Sequence, residues 1–179
     1  MNDDVAVRRL NAADALAAVP ALADLLIDCV AGGASVSFMH PLTVEKASRF
    51  WNMVADGVSR GDRALLVAED GEGKIDGTVQ LVLALPENQP HRADLAKMLV
   101  HRRARRRGIA QRLLEAAEQT AHDEGKTLLV LDAVTGGDAA RLYARAGWQR
   151  VGDVPNFALM PDGAFCSTTY FYKDLSVRR

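Results

Sequence analysis

The sequence has little with which to staple itself together. Its two cysteines, Cys29 and Cys166, lie far apart and share no ligand spacing, which argues against a disulfide framework or a cysteine metal site. Four histidines, His40, His91, His101 and His122, are scattered along the chain and read as ordinary surface or core residues. Long hydrophobic runs are also missing. The longest apolar segments are broken by Asp24, Asp28 or Asp132, so none is suited to crossing a bilayer. The start, "MNDDVAVRRL", is acidic and has no apolar signal core, so a soluble cytoplasmic protein is expected. No G-x-x-x-x-G-K-[ST] occurs, which removes the lysine phosphate loop, and no G-x-G-x-x-G follows a strand. Repeats, low-complexity tracts and long linkers are absent as well. The net charge is only −1, whereas a dedicated nucleic-acid binder is usually basic.

What is present is a local excess of positive charge. The stretch "HRRARRRGIAQRL", 101–113, holds Arg102, Arg103, Arg105, Arg106, Arg107 and Arg112 around Gly108. The other 16 Lys and Arg face 23 Asp and Glu, so the remainder of the chain is acidic at −7. A concentrated basic spot on an acidic protein suits a compact anion better than a long polyanion. Gly108 stands where a strand gives way to a helix. The first turn of a helix carries unsatisfied N–H groups and a partial positive charge. Phosphate is the usual occupant of such a place, and a glycine lets the backbone approach it closely.

The 179 residues, 49% of them hydrophobic, suit one domain over 1–179 with a sizeable core. "VAVRRL", 5–10, reads as a strand. A helix follows, with Leu22, Leu25, Leu26 and Cys29 at helical spacing; Pro20 kinks it or opens a second piece, and Gly32 and Gly33 stop it. "ASVSFMHPL" reads as an uncharged loop, and Thr43 as the N-cap of a helix over 44–59. "RALLVAED" and "IDGTVQLVLAL" flank "GEGK" as a hairpin, and "RADLAKMLVH", 92–101, is another strand. A helix from Gly108 to Gly125 leads into a buried strand, "TLLVLDAV". A short helix runs from Asp138 to Gly147. "WQRVGDV" and "AFCSTTYFYKDL" are closing strands, the second after a "PDG" turn at 161–163. This order predicts a mixed α/β sheet with helices on its faces.

"RRRGIA", 105–110, resembles the Q/R-x-x-G-x-G/A loop of the GNAT acetyltransferase superfamily, and "ARLYARAGW" resembles its A-x-x-L-Y-x-x-x-G-F segment. Their order and spacing fit, and the resemblance covers nearly the whole chain. "AGGASVSFM" and "VGDVPNFALMPDG" further resemble the tabtoxin-resistance acetyltransferases of that superfamily. The resemblance implies a mixed α+β fold, with a largely antiparallel central sheet of about seven strands flanked by helices and two central strands splayed apart. It implies acetyl-CoA as co-substrate. The diphosphate would rest on Arg105, Arg106, Arg107, Gly108, Ile109, Ala110 and Gln111, and the pantetheine arm on main-chain groups of Met98, Leu99 and Val100. Arg102 and Arg103 either reach the 3′-phosphate or stay solvated.

The same resemblance gives the chemistry. Tyr143 matches the tyrosine that protonates the departing thiolate; a thiol has a pKa of about 8.5 and a phenol about 10. The backbone N–H near Leu99 or Val100 would face the developing oxyanion. Two carboxylates are candidate bases. Asp94 alternates with Ala96, Met98 and Val100 on an apolar strand, where desolvation raises a carboxyl pKa. Asp132 ends "TLLVLD" at the carboxyl edge, where open α/β sheets place ligands. Many superfamily members carry an asparagine seven residues before the tyrosine; Gly136 stands there in this chain, so the cofactor contact of that side chain does not carry over from the resemblance. Phe38 and His40, with Met39, are candidate acceptor-binding residues, the pocket being closed by a loop, "PNFALMPDG", with Phe157. The acidic pair suits a small cationic or zwitterionic acceptor, such as an amino-acid-like toxin or antibiotic, which would take the acetyl group on an amine or a hydroxyl. A protein or peptide N-acetyltransferase and a non-catalytic coenzyme A sensor are the alternatives. No nucleic acid, membrane or metal is expected, and monomer and homodimer remain open.

Overall fold

The computed structural model describes residues 5–176. Strand β1 (Ala6–Arg9) leads into helices α1 (Ala12–Ala17), α2 (Val19–Ala31) and α3 (Val44–Ser59). Asn11 caps α1 by accepting the Asp14 N–H at 2.8 Å, and Thr43 caps α3 by accepting from Lys46 N at 3.3 Å. Pro20 falls in the first turn of α2, where its missing N–H costs nothing, so it opens a second helix instead of kinking one.

Strands β2 (Arg63–Glu69), β3 (Ile75–Val82) and β4 (Arg92–Val100) form an antiparallel meander. The Asp70 carboxylate accepts from the amides of Glu72 and Lys74 and so shapes the first turn. A 3₁₀ turn (Arg102–Ala104) and α4 (Ile109–Asp123) follow, then β5 (Leu128–Val134), α5 (Asp138–Arg145), β6 (Gln149–Leu159) and β7 (Phe165–Asp174). The seven strands make one sheet in the order β1-β2-β3-β4-β5-β7-β6.

Both sheet faces are covered, which explains why β2 reads as a continuous apolar run. Ala64 and Leu66 of β2 join Ala93, Leu95, Leu129 and Leu131 under α4 and α5. Leu65 and Val67 point the other way, into α1–α3, with Leu22, Leu26 and Trp51. The α4 face packs so closely that it needs Gly77: a Cβ there would lie 3.0 Å from Ile109 Cγ2, Leu113 Cδ1 and the Leu99 carbonyl oxygen. Gly77→Ala is therefore expected to lower unfolding stability by about 1–3 kcal/mol, read from a shifted denaturant midpoint. An unshifted midpoint would mean that α4 can move off the sheet freely.

β4 and β5 run parallel, but only Arg92–Asp94 pair with Leu128–Val130. Beyond that register the described residues of the two strands share no ladder, and a wedge opens in the middle of the sheet. The splay expected from the resemblance is thus present.

Candidate active site

The arginine stretch is held from below by two carboxylates. Asp28 of α2 accepts from the Arg102 backbone N–H and Nε, both at 2.9 Å. Asp76 of β3, 2% exposed, accepts from Arg103 Nε at 2.9 Å, and Arg107 Nη1 lies 3.5 Å from its other oxygen. Arg103 also donates to the Ile75 carbonyl at 3.0 Å. Arg102 and Arg103 are therefore not simply solvated; they anchor the turn. The guanidinium and backbone donors of Arg102 hold the Asp28 carboxyl below the usual range, against the opposing effect of its burial. Arg105 and Arg106 are exposed and make no ion pair among the described residues.

Above these anchors the backbone turns outward. Arg106 has φ 63° and Gly108 φ 75°, so the chain enters α4 through two left-handed residues. The first hydrogen bond of the α4 ladder runs from Arg112 N to the Gly108 carbonyl at 3.1 Å. Among the described residues, the amides of Arg106, Gly108, Ile109, Ala110 and Gln111 donate to no backbone acceptor. A Cβ on Gly108 would meet nothing within 4 Å, so the glycine faces open space. Free amides at the start of a helix, entered through a left-handed turn, are the kind of place where anions bind.

β4 is not a regular strand. Its ladder passes from Thr78↔Leu99 to Gln80↔Ala96, leaving an extra residue on β4. Lys97 absorbs it with φ 52°, a backbone conformation that costs a residue with a side chain about 1–3 kcal/mol. The bulge reverses the alternation. Ala93 and Leu95 face α4 before it, whereas Leu99 faces α2 and α3 after it, with Met98 and Val100 packed on the α4 side. Asp94 and Ala96 therefore do not share a face with Met98 and Val100, as unbroken alternation predicts. Nothing in "LAKMLV" signals the extra residue.

On the α3 side, Asp94 and Asp132 approach one another from the two strands of the wedge. Asp94 Oδ1 is buried with no hydrogen-bond partner among the described residues, and Oδ2 lies 3.4 Å from Arg92. Burial pushes the Asp94 carboxyl up; Arg92 opposes this and the Asp132 charge adds to it. Asp132 accepts from Thr168 Oγ1 at 2.7 Å. Tyr143 of α5 is 3% exposed, its ring tilted against Trp148 and Phe171 at 5.6 and 6.0 Å. Burial, assisted by Asp132, pushes its phenol well above the ordinary value, so it keeps its proton. Lys97, which the sequence did not single out, joins them: its ammonium donates to Ser37 Oγ at 3.0 Å and lies 5.5 Å from the Phe50 ring centre.

A cavity of about 400 Å³ opens at Asp132. Ser37, Phe38 and Met39 form one wall, Asp132 another, and Phe157 and Leu159 a third. The segment "PNFALMPDG" is not the loop predicted. β6 continues to Leu159, paired with β7 except for an irregularity between Val154 and Ala158, and Phe157 packs edge-on against Tyr170. Ser35 Oγ donates to the Leu159 carbonyl at 2.9 Å and His40 N to Pro161 O at 3.1 Å, tying the 32–43 loop down onto the hairpin. The cavity is not lined by His40, whose side chain is exposed. Gly136, φ 72°, turns the chain between β5 and α5.

Residues 61–150 match the family model for the acetyltransferase (GNAT) domain. Solved structures share the fold. An N-acetyltransferase from Staphylococcus aureus Mu50 is 18% identical over 97% of this chain and 99% of its own, with a TM-score of 0.78. The yncA protein of Salmonella typhimurium, solved with its cofactor acetyl-CoA, is 16% identical over 98% and 96%, with a TM-score of 0.77. A ribosomal-protein-alanine N-acetyltransferase from Brucella melitensis is 22% identical over 95% and 99%, with a TM-score of 0.76.

Proposed function

The chain belongs to the GNAT acetyltransferase family, and from that premise we propose that it moves the acetyl group of acetyl-CoA onto the amine of a small, amino-acid-like molecule. The observation that carries the proposal is the set of amides at Arg106 and Gly108–Gln111 that donate to no backbone acceptor among the described residues, beside a split in the sheet. The residues fit the co-substrate. Amides of Arg106 and Gly108–Gln111 would take its diphosphate, Arg105 and Arg106 would lend charge at the rim, and the β4 main chain at Met98, Leu99 and Val100 would run beside the pantetheine arm. Bound acetyl-CoA supplies an activated acyl group on a good leaving thiol.

The protein's own groups do the rest. Asp94, desolvated and lacking a partner on Oδ1, takes the proton from the acceptor ammonium, with Asp132 holding that ammonium alongside. The β4 amide near Leu99 or Val100 steadies negative charge on the acyl oxygen. Tyr143, kept protonated by burial, returns a proton to the thiolate. The cavity walls carrying Phe38 and Phe157, and the double tie of the 32–43 loop, suit a small acceptor better than a protein segment. A toxin or antibiotic of amino-acid build falls within this class.

Free-thiol release from acetyl-CoA, run against amino acids, simple amines, hydroxyl compounds, β-lactam toxins and peptide N-termini, tests the proposal. Saturable release with a small amine supports it; release with peptides alone would transfer the activity to protein acetylation, and none at all would leave a coenzyme A sensor.

Asp94 sets the pH dependence. The base must be ionised, so activity should fall as pH drops through its raised pKa, and Asp94→Asn should remove that acidic limb. Persistence of the limb would move the base to Asp132. The same raised pKa means that the folded state carries a poorly solvated charge above it. Asp94→Asn should therefore melt at higher temperature than the parent near pH 8, and the gap should close as pH falls toward the unfolded carboxyl value of about 4. A gap that is unchanged with pH would show that the charge is not the cause.

A further inference from the structure

A lysine placed among half-buried side chains needs a counter-charge, because an ammonium removed from water is costly. Among the described residues Lys97 makes no ion pair; its hydrogen bond goes to the neutral hydroxyl of Ser37. Burial lowers its pKa and Arg63 lowers it further, while Asp132 opposes both. Two strained residues meet here, since Ser37 has φ 77° and Lys97 φ 52°. The bulge turns Lys97 toward the 32–43 loop instead of leaving it in the ordinary pleat. Ser37 lines the acceptor cavity, and Asp132 lines it from another wall. The cavity thus has the acidic Asp132 on one side and on another the Ser37 hydroxyl, which the Lys97 ammonium reaches from behind the lining, with apolar Phe38, Met39, Phe157 and Leu159 between.

We infer that Lys97 and the Ser37 hydroxyl receive a carboxylate, so that the acceptor carries an amine and a carboxylate together, with an apolar side chain. Ser37 accepts from Lys97 and keeps its own proton to donate; Lys97 keeps two further N–H groups. Both can point to one anion, and the charge-assisted bonds replace a missing counter-ion. The same ammonium repels diamines and polyamines, which Asp94 and Asp132 alone would attract. The inference rests on the reading of the chain as an acetyltransferase of small amines, with the acetylated product sharing the acceptor's carboxylate.

Calorimetric titration tests it without turnover. The probes are N-acetyl-L-leucine, N-acetyl-L-methionine and N-acetyl-L-phenylalanine, each beside its carboxamide. The wild-type protein should bind at least one free acid about ten- to a hundredfold more tightly than the matching carboxamide. Lys97→Met should erase that preference while leaving carboxamide and acetyl-CoA affinities unchanged, and Ser37→Ala should narrow it. Equal binding of acid and carboxamide by the wild type, or no binding of any acid, overturns the inference; so does an equal loss of both ligands in Lys97→Met. The wild-type comparison stands even where a variant fails to fold. Acid-selective binding without thiol release to any amine would sink the acetyltransferase reading and leave the carboxylate site. Thiol release with carboxamides used as well as free acids would do the reverse.

Discussion

Gly108→Glu should show no measurable acetyl-CoA binding by calorimetry while keeping its fold. The new side chain would extend from a glycine that faces open space, into the volume the diphosphate would occupy. It also brings a negative charge to the mouth of the proposed diphosphate site. Because no neighbour lies within 4 Å of the added Cβ, the folded protein should lose only the cost of a side chain at φ 75°, roughly 1–2 kcal/mol. Gly108→Ala separates the two effects. It carries the backbone cost without the charge or the reach, so it should weaken binding while leaving it measurable. Undiminished affinity in the glutamate variant would show that the diphosphate lies elsewhere.

Tyr143→Phe should lower kcat by about ten- to a thousandfold with acetyl-CoA affinity nearly unchanged. The substitution removes one hydroxyl and keeps the ring that packs between Trp148 and Phe171, so melting should barely move. The raised pKa has a consequence for the wild type too. Its phenol stays protonated across the neutral range, so Tyr143 should add no basic limb there. Unaltered turnover in the variant would reduce Tyr143 to a packing residue.

Much of the fold could be read from the chain because its signals are local. Thr43 before an amphipathic run, Gly125 after another, and the Asp70–Lys74 turn each carry their physics within a few residues. The free amides of Ile109–Gln111 were legible for the same reason: "RRRGIA" places its glycine at the start of a helix, whose first N–H groups have no partner within it. What stayed hidden depends on distant partners. Asp28 and Asp76 read as ordinary acids until tertiary contacts bring them to Arg102 and Arg103, each through a separate element. Two residues meant for solvent or phosphate became anchors as a result. The β4 bulge is a property of the ladder with β3, so strict alternation placed Met98 beside Asp94 and overlooked Lys97. Likewise Pro155 and Asn156 suggested a loop, whereas pairing with β7 carries β6 through the irregularity to Leu159.

The account turns on where one cofactor meets the backbone. Backbone amide spectra recorded during titration with coenzyme A address this directly. The largest shifts should fall on Arg106 and Gly108–Gln111, with a second group on Met98–Val100 along the open edge of β4. Shifts confined to other parts of the surface, with these amides unmoved at saturation, would contradict it.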